Sequence, residues 1–268
     1  MANFKKKWCL WAAMIAVLQA GSVYGEARSR SSKLAEGTRW EMPVWEVVGE
    51  SPGPTIVIVG GVHGNEPAGM KAASNIATWS LARGRLIVIP SANRYALEAG
   101  TRRRPNAPPD LADLNRNFPT VERGDLPRGD LARLLWEYLQ LIKPDWVIDL
   151  HEGFDFHQIN DESVGSSIIY HATNETDRVV PKMLQAVNIS IDEAEKKFVP
   201  LGPPVNGSLA RAAAIHLGAK SMILETTYKQ PMALRVEQHC AMVECLLSDL
   251  DMLGEAVEVA SSKEPVAR

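Results

Sequence analysis

The chain has 268 residues, 46% of them hydrophobic and 23% charged, with a formal charge of −3. That is ordinary globular usage with enough chain to bury one sizeable core, and no internal repeat, heptad run or low-complexity tract points to a fibrous or solenoid protein. The mildly acidic balance argues against a general nucleic-acid binder, which needs a basic face.

The first 25 residues stand apart from the rest. Lys5-Lys6-Lys7 form a basic start, Trp8 to Ala20 an apolar stretch, and Val23-Tyr24-Gly25 a small-residue ending, which is the build of a secretory signal peptide cleaved near Gly25. The apolar stretch is shorter than the roughly 20 residues of a membrane span, so the expectation is a secreted or periplasmic protein without stable membrane insertion after cleavage. Removing residues 1–25 takes away three lysines and no acid, which moves the formal charge from −3 to −6. Residues 26–254 are expected to fold as one unit, with the polar residues 26–38 as a mobile lead-in and 255–268 as a flexible tail.

Along the folded region the pattern alternates. Apolar runs predict strands at about 42–48, 54–60, 85–90, 145–151, 167–171 and 219–225, and amphipathic stretches predict helices at about 66–82, 130–142, 176–190, 207–217 and 231–254. Short strands that do not alternate cleanly, separated by such helices, imply a sheet buried on both faces. The fold class is therefore α/β, a three-layer sandwich with a central mostly parallel or mixed sheet. In such folds ligands gather beyond the carboxyl ends of the strands.

Two of those ends carry metal-binding chemistry. After the run Thr55-Ile-Val-Ile-Val59 and a Gly-Gly turn comes His63-Gly64-Asn65-Glu66. An imidazole and a carboxylate three residues apart can turn both heads onto one cation, and zinc accepts that mixed set while keeping a position open for water. The third ligand is expected at His151, which ends the run Asp145-Trp-Val-Ile-Asp-Leu-His151. Asp149 points to the same face of that strand as His151 and can orient it. His157 lies beyond the strand and is the weaker choice.

Between these strands, Ala99 to Arg128 is rich in proline and arginine and has no periodicity. A long irregular loop in a compact domain is usually functional, and this one contains Asp113-Leu-Asn-Arg-Asn-Phe-Pro119, so it is read as a wall of the site. Asp113 and Asn117 are expected to hold the loop by side-chain hydrogen bonds. Arg102, Arg103, Arg104 and Arg116 make a local basic patch on an acidic protein, which favours a small anionic substrate. Further on, Glu225 follows the apolar Met222-Ile-Leu224. Cys240 and Cys245 lie five apart in one predicted helix, a spacing that points them in different directions and leaves no disulfide between them.

His63-Gly-Asn-Glu66, Asp113-Leu-Asn-Arg-Asn-Phe-Pro119, His151 and Leu224-Glu-Thr-Thr227, in this order, resemble the zinc carboxypeptidase superfamily, and within it the succinylglutamate desuccinylase/aspartoacylase branch and its small bacterial carboxypeptidase relatives. The resemblance implies a zinc hydrolase domain over 26–254, with one Zn2+ per chain on His63, Glu66 and His151. It also implies Glu225 as the base that takes a proton from water and passes it to the leaving amine. Gly100-Thr-Arg102 resembles the glycine-x-arginine of the desuccinylase branch, which makes Arg102 the donor to the scissile carbonyl, with the register open to Arg103 or Arg104. Asn115 and Arg116 would bind a substrate carboxylate. Tyr170 and Tyr228 are further candidates for a proton donor or lid.

The expected activity is hydrolysis of an amide bond next to a free carboxylate. The desuccinylase-like motifs favour a deacylase acting on an N-acyl amino acid. The signal peptide and the full Asp-Leu-Asn-Arg-Asn-Phe-Pro run favour a periplasmic metallocarboxypeptidase acting on short cell-wall peptides. The short stretch after Glu225, which leaves no room for the C-terminal β domain of typical desuccinylases, also implies wider substrate access. A third reading, from another class, is a carboxylate-binding protein without turnover.

Overall fold

A computed structural model describes residues 28–124 and 126–254. The expected signal peptide and the expected tail lie outside the described residues. In chain order the elements are β1 (Arg28–Leu34), β2 (Met42–Val48), β3 (Ser51–Gly60), α1 (Pro67–Ile76), β4 (Arg83–Ile89), α2 (Arg94–Ala99), α3 (Pro109–Ala112), α4 (Gly129–Ile142), β5 (Trp146–Gly153), β6 (Ser167–Tyr170), α5 (Asn174–Asn188), β7 (Val199–Leu201), α6 (Leu209–Ala212), β8 (Lys220–Thr227) and α7 (Met232–Asp249).

One eight-stranded sheet runs in the order β1-β2-β4-β3-β5-β8-β6-β7. The four central strands β4, β3, β5 and β8 are parallel to one another. β2 joins β4 antiparallel and β6 joins β8 antiparallel, so the sheet is mixed. Alternation in the central strands sorts the core into two layers. Ile56, Ile58, Ile148 and Leu224 pack with Ile76 of α1, Met183 of α5 and Leu246 of α7 on one face. Val57, Val59 and Val147 pack with Leu135, Trp136 and Leu139 of α4 on the other. Both faces being covered, the middles of the central strands are apolar, and the buried His151 and Glu225 lie toward the carboxyl ends of β5 and β8.

Several boundaries differ from the sequence expectation. The lead-in expected at 26–38 is not a mobile segment over its described part. Arg28–Leu34 is an edge strand in full antiparallel register with β2, from Arg28 opposite Val48 to Leu34 opposite Met42. Only Leu34 of that strand is buried, so its sequence carries no apolar alternation, and main-chain bonds with the Arg30–Glu46 and Lys33–Glu41 ion pairs hold it. The helix expected over 66–82 stops at Ile76, where Thr78 turns back with both its N–H and its hydroxyl donating to the Asn75 carbonyl. The helix expected over 231–254 stops at Asp249, because Asp251 takes a left-handed backbone and sends Met252 into the core. The loop 99–128 is not wholly irregular: it holds α3 and a short 3-10 turn at Leu114–Arg116.

Among the described residues, no helix is long and apolar enough to cross a membrane. Cys240 and Cys245 are free thiols on α7, as their spacing implied.

Candidate metal and substrate site

Strands β3, β5 and β8 are neighbours and end on the same edge of the sheet, which is what assembles the site. His63 follows β3, His151 lies near the end of β5, and Glu225 faces His151 directly across the β5–β8 ladder. Glu66 is the residue just before α1, whose first position is Pro67, a residue preset for a helix start. Gly64 lets this turn close: a Cβ there would lie 1.8 Å from the Ala96 carbonyl oxygen, and its N–H donates to the Thr101 carbonyl at 2.9 Å. No larger residue fits, and the turn carries the loop with Arg102 alongside His63.

His63, Glu66 and His151 are each about 2% exposed, and one ligand atom of each lies within 4.8 Å of the others. His63 Nδ1 is 2.8 Å from Glu66 Oε1, His151 Nδ1 is 2.7 Å from Glu66 Oε2, and the two Nδ1 atoms are 3.2 Å apart. Two imidazole nitrogens aimed at each other across a carboxylate suit a shared cation. With Zn–N bonds of ~2.0–2.1 Å the edge of a tetrahedron is ~3.3 Å, close to the observed nitrogen spacing.

The outer nitrogens are held too. His63 Nε2 is 3.0 Å from Asp113 Oδ1. His151 Nε2 is 2.8 Å from Asp149 Oδ2, off the hydrogen-bond direction, and 3.3 Å from the Asn115 amide nitrogen. Carboxylates behind metal-binding imidazoles fix the ring and raise its basicity.

Electrostatics carry the same message. Burial would raise the Glu66 carboxyl, but His151 and His63 outweigh it and hold the group well below the carboxylate range. Burial would lower His151, yet Asp149 and Glu66 hold it well above the ordinary histidine value. The acidic surplus thus draws positive charge onto the imidazoles, a demand that a divalent cation also meets. Asp113, which burial would raise, is held at about 2 by its hydrogen bond to His63, the His63 charge, Arg102 and Arg116. The donor set fits zinc in kind and in spacing.

Glu225 is buried and its Oε2 has no hydrogen-bond partner among the described residues. Burial first, with Glu66 and Asp149 adding and His151 and Arg102 opposing, pushes its carboxyl well above the ordinary glutamate value. A carboxylate of raised basicity beside a candidate metal site is suited to receiving a proton.

Position separates Arg102 from Arg104. Arg102 donates through Nη1 to Glu66 Oε1 at 2.8 Å and lines the cleft. Arg104 stacks over the Trp40 ring at 4.7 Å, away from the ligands. Arg116 lines the cleft and donates through Nη1 to the Asn115 carbonyl at 2.7 Å. Asn115 also lines it, but its Oδ1 accepts the Leu209 N–H at 2.9 Å, so both ends of its amide are engaged by the protein. Asn117 holds the loop as expected, donating to the Asp113 carbonyl at 2.8 Å. Tyr228 lines the cleft, whereas Tyr170 faces a neighbouring depression. His157 is engaged with the Ser163 carbonyl at 2.7 Å.

The cleft has a volume of about 600 Å³. Phe154, Val164, Val205 and Tyr228 at its rim are each between 38% and 49% exposed, so an apolar mouth surrounds a charged floor.

Two carboxylates behind the ligands have roles that the sequence reading did not assign them. Asp113 does more than hold its loop, since its carboxylate seats His63. Glu152 points away from His151 to the opposite face of β5, where its Oε2 accepts the Ala68 N–H at the start of α1 at 2.8 Å and its Oε1 pairs with Arg235 of α7. Strand alternation puts Glu152 on the α1/α7 side, but nothing in the sequence marks Arg235 as its partner.

Residues 52–166 match the family model described as the succinylglutamate desuccinylase/aspartoacylase catalytic domain. Glu225 lies beyond that segment. Over 113 residues the chain is 36% identical to the N-alpha-acetyl-L-2,4-diaminobutyric acid deacetylase of Halomonas elongata, a match that takes in 40% of this chain and 31% of that protein. The chain thus spans less than a third of the length of the curated relative it matches. Among solved structures, the tripeptide-bound cell shape determinant Csd4 of Helicobacter pylori superposes with a TM-score of 0.63 at 18% identity, over 79% of this chain and 56% of that one. The succinylglutamate desuccinylase/aspartoacylase of Rhodobacter sphaeroides gives a TM-score of 0.62 at 20% identity, over 91% and 71%. At these identities the structural likeness speaks for the fold. Residues 52–166 are therefore similar to the succinylglutamate desuccinylase/aspartoacylase catalytic domain, and the chain shares the mixed α/β fold of the solved structures on which it superposes.

Proposed function

We propose that this protein is an exported zinc-dependent hydrolase that cleaves an amide bond next to a free carboxylate. The observation that carries the reading is the convergence of His63, Glu66 and His151 on one point, with the unpartnered carboxylate of Glu225 beside them.

Zinc bound by those three residues supplies a Lewis acid that makes water acidic near neutrality and polarises a carbonyl. Glu225 takes a proton from the attacking water as the new C–O bond forms, and passes it to the amine nitrogen as the C–N bond breaks. Arg102 donates to the oxygen on which negative charge develops. Arg116 pairs with the substrate carboxylate through its planar fork. Asn115, whose amide spans His151 and the start of α6, holds that loop in place. Asp113 and Asp149 keep the imidazoles aimed.

The deacetylase of Halomonas elongata favours an N-acyl amino acid as substrate, and the tripeptide-bound form of the Helicobacter protein favours a short peptide. The open apolar rim suits the peptide. Export rests on the build of residues 1–25 alone. The test is turnover of N-acyl amino acids and short peptides by the zinc-loaded protein and its Glu225→Gln variant. The expected loss in kcat is about 10²–10⁴-fold, with zinc content unchanged. Full activity in Glu225→Gln would remove the assigned base, and ligand binding without hydrolysis by the unaltered protein would favour a carboxylate-binding protein.

A further inference from the structure

The wall Leu201-Gly202-Pro203 that bounds the catalytic cleft also bounds a second, open depression of about 690 Å³, lined in addition by Tyr170, His171 and Arg211. The two hollows are adjacent and share that wall. They are also tied through the backbone. The Leu209 N–H at the start of α6 donates to Asn115 Oδ1. Just before it Gly207, at φ +82°, approaches the Arg116 carbonyl so closely that a Cβ would lie 2.8 Å from it. Arg211 comes two residues after Leu209, about 3 Å further along the axis of α6. Its backbone is fixed by the Ser208 hydroxyl, which accepts the Arg211 N–H at 3.1 Å.

Arg211 is half-buried. Its guanidinium makes no ion pair with a described carboxylate, unlike Arg178, which reaches Asp249, and Arg133, which reaches Glu137. Asp177 of the neighbouring α5 acts on Tyr170, whose phenol burial and Asp177 together raise. A permanently charged planar fork, facing an open hollow next to a cleft, is built to pair with a carboxylate.

We infer that Arg211 forms an anion-binding subsite for a second, distal carboxylate on the substrate, reached across the Leu201–Pro203 wall. An amino acid bearing a short acyl group ends inside the catalytic cleft. A short peptide with an acidic residue crosses the wall, so the subsite selects acidic peptides within the broader substrate class. The inference rests on the hydrolase reading for its catalytic consequence, but the binding step stands by itself.

The experiment uses two synthetic N-acylated tripeptides that differ only in a distal Glu or Gln. Calorimetry on the zinc-loaded Glu225→Gln protein, with and without Arg211→Gln, reads the subsite. Hydrolysis by the otherwise unaltered enzyme and by its Arg211→Gln variant, with an N-acetyl amino acid as the short substrate, reads its use. The Glu peptide should bind about tenfold or more tightly than the Gln peptide, and Arg211→Gln should erase that preference while leaving turnover of the short substrate unchanged. Equal binding of the two peptides, or a preference that survives Arg211→Gln, would overturn the subsite. A preference in binding with no hydrolysis of any substrate would instead overturn the hydrolase reading and leave the subsite standing.

Discussion

His63, Glu66 and His151 are almost wholly buried, and each contacts a further group: Asp113 behind His63, Arg102 and the Glu152 N–H on Glu66, Asp149 and Asn115 behind His151. Arg102, by contrast, leaves 45% of its side chain in water, and Arg116 is exposed and folded onto its own loop. The ligand cage is therefore preorganised inside the protein, whereas the arginine wall lies at the solvent edge. Burial strengthens every charge interaction in the cage and penalises any group left alone there. In the wall, water screens the same interactions. Substitutions in the cage should cost stability or metal, and those in the wall should cost substrate.

The largest effect is expected underneath the cage. Glu152 has a fully buried side chain, and its partner Arg235 is 11% exposed. Replacing Arg235 with Met leaves the Glu152 carboxylate unpaired, a loss of about 3–5 kcal/mol, or on the order of 10 °C in Tm. Burial already pushes Glu152 above its ordinary value with Arg235 present. Adding Glu152→Gln should recover much of the loss in thermal melts, and no recovery would show that Arg235 acts through packing.

A smaller effect is expected at the edge of the cage. Asp113→Asn keeps the shape but removes the charge behind His63, and zinc affinity should fall about 10–100-fold in chelator competition. An unchanged affinity would limit Asp113 to holding its loop. In the wall, Arg116→Ala should leave zinc content intact and raise KM about tenfold for substrates with a free carboxylate, as expected for a lost charge-assisted pair. Substrates with a carboxamide in its place should be indifferent, and an equal rise for both would break the contrast between cage and wall.

The contrast also explains what the sequence could disclose. The central strands were legible because burial on both faces leaves unbroken apolar runs, and His63, His151 and Glu225 stand out as polar residues at the ends of those runs. β1 was not legible, since an edge strand with a solvated face needs no apolar pattern. Neither was β7, three residues long with Pro200 in its middle. Within the site, Glu66 and Arg102 were readable from short motifs, but the choice of Arg102 over Arg104 needed Trp40, which draws Arg104 away. Arg235 was invisible because its partner is 83 residues distant in sequence and sits on another element. Local spacing reports which groups can meet near a strand end, whereas tertiary packing decides which groups support them from behind.

The most direct measurement is the metal content of the purified protein by elemental analysis, alongside His63→Ala and His151→Ala. The expected result is about one zinc per chain, retained through gel filtration and lost in both variants, as a buried set of three protein ligands with one open position implies. No bound metal, and none taken up when zinc is added, would contradict the metal-centred reading of the cage.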